Sequence, residues 1–198
     1  MINLNRDSDS AIIVLHEIYG VNQHMKGICQ SLSEYNFDVF CPNLLERSDP
    51  FDYSDEEAAY RHFMNQVGFD HASAKIKTMV RNVRENYQRL FIVGFSVGAT
   101  VAWMCSEEEN IDGIVGYYGS RIRDYLGMTP QMPVMLFFPE EEKSFNVNRL
   151  ISALANNKKI KTHQLVGQHG FSDPYSLKYN EQSSQTAFRE MIKFLKGH

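Results

Sequence analysis

The chain has 198 residues, 43% hydrophobic and 22% charged, enough for one domain over residues 1–198 with a full core. Lys and Arg number 20 against 24 Asp and Glu, and the formal charge of −4 provides no broad basic surface for nucleic acid or an anionic membrane. No stretch approaches the roughly 20 apolar residues that span a bilayer, and MINLNRDSDS lacks the basic region and apolar run of a secretory signal.

In chain order, the first apolar run is 11–15 (AIIVL), a strand. Met25, Ile28 and Leu32 recur at helical spacing, and 37–41 (FDVFC) is a second strand. Ser54 followed by Glu57 predicts a capping box opening a helix with Ala58 and Tyr60. Ile76, Met79, Val80, Val83 and Tyr87 trace one apolar helical stripe. Strands follow at 90–95 (LFIVGF), 111–117 (IDGIVGY), 133–138 (PVMLFF) and 160–166 (IKTHQLV). A helix with Leu150, Ile151 and Leu154 precedes the last of these, and one with Phe188, Met191, Ile192 and Leu195 closes the chain. Lys158, Lys159 and Lys161 read as a solvated turn. This alternation predicts an α/β fold: a mainly parallel sheet with helices on both faces, compact, with little or no lid. Cys29, Cys41 and Cys105 form no C-x-x-C and are odd in number, so free buried thiols and a cytoplasmic location are expected.

Chemistry in such sheets collects beyond the carboxyl ends of the strands. Gly94-Phe95-Ser96-Val97-Gly98 fits G-x-S-x-G between an apolar strand and an apolar helix, which marks Ser96 as a nucleophile and the Val97 amide as an oxyanion donor. A serine hydroxyl needs a base. Of seven histidines, His169 stands between the last strand and the final helix, 73 residues after Ser96, as the order Ser–acid–His requires. His163 falls within a strand, His62 and His71 in the long helical region, His198 at the terminus, and His24 is expected to be exposed. Glu140, Glu141 and Glu142 all qualify as the acid, while Asp173 breaks the order. His16-Glu17-Ile18-Tyr19-Gly20 begins like H-E-x-x-H, but Gly20 replaces the second histidine and the segment ends a strand, so no zinc site is read there. The glycine turn also lacks the G-K-S/T ending of a phosphate loop, and no cofactor is expected.

Taken together, His16–Gly20, Cys41-Pro42-Asn43-Leu44-Leu45 with Arg47, Gly94–Gly98, Gly116-Tyr117-Tyr118-Gly119, Pro133–Leu136 and His169-Gly170-Phe171 resemble the dienelactone hydrolase family of α/β-hydrolases over about residues 10–196. The resemblance implies Ser96 at the nucleophile position, which is cysteine in the enzyme that names the family, His169 as the catalytic histidine and Glu142 as the acid. It implies a resting contact of Glu17 with the nucleophile, and the amides of Ile18 and Val97 as the oxyanion hole. Serine in place of cysteine, glutamate in place of aspartate and no arginine just after His169 move the expected substrate from dienelactone to a small ester or lactone. Arg47, Arg61, Tyr19 and Tyr118 are the expected substrate-contacting side chains. The expected protein is a monomer or small homo-oligomer acting on a small molecule. The rival readings are a hydrolase fold that has lost activity and serves as a binding protein, and a thioester or C–C bond hydrolase on the same framework.

Overall fold

The structure, a computed structural model, describes residues 1–198. The strands are β1 (Ile2–Leu4), β2 (Ser10–Leu15), β3 (Asp38–Cys41), β4 (Arg89–Phe95), β5 (Gly113–Tyr117), β6 (Val134–Glu141) and β7 (Ile160–Gln168). The helices are α1 (Gln23–Ser33), α2 (Glu56–His62), α3 (Phe69–Arg84), α4 (Val97–Met104), α5 (Val147–Leu154) and α6 (Glu181–Gly197). One sheet runs β1-β3-β2-β4-β5-β6-β7. Every pairing is parallel except β1 with β3. This is the α/β-hydrolase type of fold, and no large insertion covers the carboxyl ends of its strands. No helix is long and apolar enough to cross a membrane.

The strand alternation divides the core between two faces. Ala11, Ile13 and Leu15 of β2 belong to one buried cluster with Ile76 and Val80 of α3, Val101 of α4 and Leu150 of α5. Ile12 and Val14 face the opposite side, against Met25, Cys29 and Leu32 of α1 and Met191 and Leu195 of α6. α4 is buried along its whole length. Eight residues are too few for a stable isolated helix, so burial of side chains such as Val101 and Trp103, worth about 1.5–3 kcal/mol each, holds it in place. The chain leaves β2 for β3 on one side and later returns to place β4 on the other. That reversal is a switch point, where an open α/β sheet leaves a crevice beyond its strand ends.

The six expected strands are present, with three differences. β1 pairs antiparallel with β3, Ile2 opposite Cys41 and Leu4 opposite Val39; three residues carry too little periodicity to be read as a strand. β6 runs on to Glu141, with a register shift against β7 between Pro139 and Glu141. Ser54 does not cap α2: it lies in a short 3₁₀ turn capped by the Asp52 carboxylate, which accepts from the Ser54 amide at 3.1 Å. An acceptor two residues upstream takes the local donor, as Asp readily does at a turn. All three cysteines are buried and free.

Asp38 ties the amino-terminal strand to this frame. Its Oδ1 accepts from the Arg6 amide at 2.7 Å and its Oδ2 from the Tyr87 hydroxyl at 2.7 Å, and the residue is 3% exposed. Asp38→Ala removes the buried acceptor of both bonds. It is expected to lower the unfolding free energy by about 1–3 kcal/mol in urea titration and to speed amide exchange in β1.

Candidate active site

Ser96 occupies the turn between β4 and α4 at φ 54° and ψ −114°. A serine in this left-handed region is strained by about 1–3 kcal/mol. Its amide donates to the Tyr117 carbonyl at 2.9 Å, and its carbonyl accepts from Ala99 and Thr100 at 3.1 and 3.2 Å. The flanking glycines are there because the backbones touch. A Cβ on Gly94 would lie 2.3 Å from the Gly98 carbonyl oxygen, and one on Gly98 would lie 2.3 Å from that of Leu15. Helix α4 therefore starts directly against the end of β2, with Ser96 held above the crevice.

Three side chains from three strand ends form a hydrogen-bonded line. Ser96 Oγ lies 2.8 Å from His169 Nε2, and His169 Nδ1 lies 2.7 Å from Glu142 Oε2. An ionised Glu142 accepts only, so Nδ1 carries the proton and Nε2 is free to accept from the serine hydroxyl. The register shift between β6 and β7, an additional residue on β7, is what brings Glu142 here. The last β6–β7 pair is Glu141 opposite Gln168, so the next residue on each strand is Glu142 and His169. Glu140 and Glu141 stay exposed, whereas the Glu142 side chain is 7% exposed. Burial disfavours the Glu142 carboxylate, but the His169 ring and the Ser144 amide and hydroxyl outweigh it and hold its pKa below the ordinary value.

The opposite wall comes from the loop after β2. His16 is fully buried, and burial lowers its pKa to about 4, so the ring is neutral. Nδ1 donates to the Glu17 carbonyl at 2.6 Å, and Nε2 accepts from the Leu44 amide at 2.9 Å. These partners fix the tautomer and the path of the loop through Ile18. Ile18 and Val97 line the same cleft as Ser96 and His169. Val97 is the first residue of α4, so its N–H is among those a helix leaves without an intrahelical acceptor. The cleft measures about 350 Å³, within the range of small-molecule sites.

Several expected contacts lie elsewhere. The Glu17 side chain makes no hydrogen bond to Ser96: it is buried, and its Oε1 accepts from the Tyr118 hydroxyl at 2.6 Å. Tyr118 is 1% exposed and does not line the cleft; its ring packs against that of His169 in a tilted arrangement, centroids 4.9 Å apart. Tyr19 packs on Tyr53, also outside the cleft. Arg47 stacks on Phe51 at 3.7 Å, and Arg61 is a 66% exposed helix residue paired with Glu57. The basic side chains that do line the cleft are Arg121, Arg123, Lys143 and Lys178. Arg121 is braced by the Tyr60 hydroxyl at 2.7 Å and by Asp124 at 3.0 Å. Ser120–Asp124 follows the end of β5, so the strand-end rule applied there would have found both arginines. His24, expected to be exposed, is 2% exposed. Its approach to Asp173 is a long-range contact with no local signal.

The model of the dienelactone hydrolase family matches residues 3–198. The chain belongs to the dienelactone hydrolase family. It is 42% identical to YczH of Bacillus subtilis strain 168 over 174 residues, covering 85% of this chain and 84% of that one. It is 27% identical to the carboxymethylenebutenolidase of Pseudomonas putida over 130 residues, 61% of this chain and 55% of that one. Among solved structures, a Klebsiella pneumoniae protein superposes with a TM-score of 0.83 at 21% identity, over 98% of this chain and 90% of that one. The dienelactone hydrolase-like promiscuous phosphotriesterase P91 superposes at 0.75 and 13% identity, over 95% and 86%. Membership makes the chain a hydrolase, and Ser96, His169 and Glu142 form the Ser–His–acid arrangement of serine hydrolases on this fold.

Two measurements probe this scaffold. Gly98→Ala forces a methyl group onto the Leu15 carbonyl and is expected to cost about 1–3 kcal/mol in urea titration while displacing Ser96. The His16 pKa lies below that of an unfolded histidine, so its contribution to stability is complete above about 6.5 and is lost as pH falls toward 4. Between pH 6.5 and 5 this loss is about 2 kcal/mol. The slope of unfolding free energy against pH in that window should drop by about one proton in His16→Asn.

Proposed function

We propose that the protein hydrolyses a small carboxylic ester or lactone through an acyl-enzyme on Ser96. The observation that carries the proposal is the continuous line from Ser96 Oγ through the His169 ring to the Glu142 carboxylate, at 2.8 and 2.7 Å. His169 Nε2 takes the hydroxyl proton as Ser96 Oγ bonds to the substrate carbonyl carbon. The carbonyl oxygen becomes an oxyanion held by the Val97 and Ile18 amides. As the tetrahedral intermediate collapses, the bond to the leaving oxygen breaks and His169 returns the proton to it. Water then gives a proton to His169 and attacks the acyl carbon, releasing the acid and restoring Ser96. Glu142 holds the Nδ1–H tautomer and stabilises the imidazolium formed in each half-reaction.

Ile18, Tyr60 and Val97 are the apolar side chains of the cleft wall and the rest is polar or charged, which favours a short, polar substrate over a long acyl chain. Arg121 and Arg123 take the substrate-contacting role in place of Arg47 and Arg61. The carboxymethylenebutenolidase relative supports a lactone within the substrate class. The free buried cysteines support a cytoplasmic setting. The protein works as a monomer or small homo-oligomer on this small molecule, without nucleic acid or membrane.

The test is intact-mass analysis after incubation with a small fluorophosphonate. One adduct on the wild type and none on Ser96→Ala is expected; an unlabelled, folded wild type would favour an inactive binding protein. On short acyl esters, Ser96→Ala and His169→Ala should lower kcat by roughly 10⁴-fold or more, and Glu142→Gln by roughly 10²–10⁴-fold. Glu141→Ala should stay near wild type, because its carboxylate meets only exposed Gln168, at 3.1 Å.

A further inference from the structure

Behind the candidate active site lies a second polar centre that the proposed reaction does not use. Glu17, His24 and Asp173 come from the loop after β2, from α1 and from the loop after β7. They are 6%, 2% and 1% exposed. One ligand atom from each lies within 4.8 Å of the other two. No lysine or arginine pairs with either carboxylate; the His24 ring stands beside them, its Nδ1 3.6 Å from Asp173 Oδ2. Two carboxylates without a counter-charge are costly to bury. Both nitrogens of His24 are buried without a hydrogen-bond partner, an exception to the rule that buried polar atoms are paired.

We propose that Glu17, His24 and Asp173 bind one divalent transition-metal ion of the zinc class. One imidazole and two carboxylates form the mixed nitrogen and oxygen set that such ions take, with water completing the shell. Metal–ligand bonds of about 2.1 Å place tetrahedral ligands about 3.4 Å apart. The His24–Asp173 separation of 3.6 Å is already close to that value, and Glu17, within 4.8 Å of both, needs to approach by at most about 1.4 Å.

The surroundings suit a held ion. The Tyr118 hydroxyl donates to Glu17 Oε1 at 2.6 Å and the Tyr53 hydroxyl to Asp173 Oδ2 at 2.5 Å. Asn22 in turn donates to the Tyr53 oxygen at 3.0 Å. Both phenols thus orient the ligands as hydrogen-bond donors. A cavity of about 510 Å³ between α1 and α6 reaches His24 and Ser172 from solvent, giving the ion a route in. The bound ion would join three separate segments of the chain and stabilise the fold by mass action.

The experiment is equilibrium dialysis of the metal-stripped full chain against Zn²⁺ with elemental analysis, followed by Co²⁺ absorption spectroscopy and thermal unfolding. One Zn²⁺ per chain with a Kd below about 10 μM, an upward shift of Tm, and the intense visible bands of four- or five-coordinate Co²⁺ are expected. His24→Gln should weaken Zn²⁺ at least about tenfold and abolish the Tm shift. Asp173→Asn is the second variant should His24→Gln fail to fold, and the wild-type Co²⁺ spectrum decides if both fail. No saturable binding, a weak six-coordinate Co²⁺ spectrum, or binding unchanged in a folded variant overturns the proposal. Fluorophosphonate labelling of Ser96 does not depend on this ion, so the two proposals fail separately.

Discussion

The structure turns on the contact between the start of α4 and the end of β2. Gly98 lies so close to Leu15 that a methyl group would sit 2.3 Å from its carbonyl oxygen. That approach compresses the β4–α4 turn, puts Ser96 at φ 54°, and sets the first N–H groups of α4 beside the loop that carries Ile18. A serine on an ordinary turn would have neither the exposure nor the adjoining amides. The strain is sustained because α4 is buried along its whole length and cannot relax outward.

The remaining parts of the site come from strand ends on one side of this turn. β4 carries Ser96, while β6 and β7, two and three positions further along the sheet, carry Glu142 and His169. Parallel strands deliver their carboxyl ends to one edge, so residues 73 and 27 apart in sequence meet without a long loop. The register shift near Pro139 is the fine adjustment. It uses up an additional residue of β7 and so brings Glu142 level with His169, while Glu140 and Glu141 stay exposed.

Two buried polar systems flank the nucleophile. His16 is neutral and fully hydrogen-bonded, and it sets the course of the first loop. Glu17, the next residue, belongs to the network of Tyr118, Ser172, Tyr53, Asp173 and His24. Tyr118 joins this network to the back of the His169 ring while taking up a left-handed φ of 42°. Neighbouring residues of one strand end thus serve separate sites, because successive side chains of an extended segment leave on opposite faces.

Sequence alone determined whatever rests on local periodicity and local crowding. The six longer strands, their connecting helices and the parallel sheet follow from apolar runs and stripes. The role of Gly94 and Gly98 around Ser96 follows from a tight strand-to-helix turn, and the place of His169 from its position after the last strand. The choice among Glu140, Glu141 and Glu142 needed either family likeness or the β6–β7 register, since three adjacent glutamates have the same chemistry. Tertiary structure alone decided where side chains point across long separations. It paired Glu17 with Tyr118, put Arg121 and Arg123 in the cleft in place of Arg47 and Arg61, and buried His24 against Asp173, 149 residues away. A side chain's direction after a strand end depends on neighbours supplied by distant elements, and no window along the chain contains them.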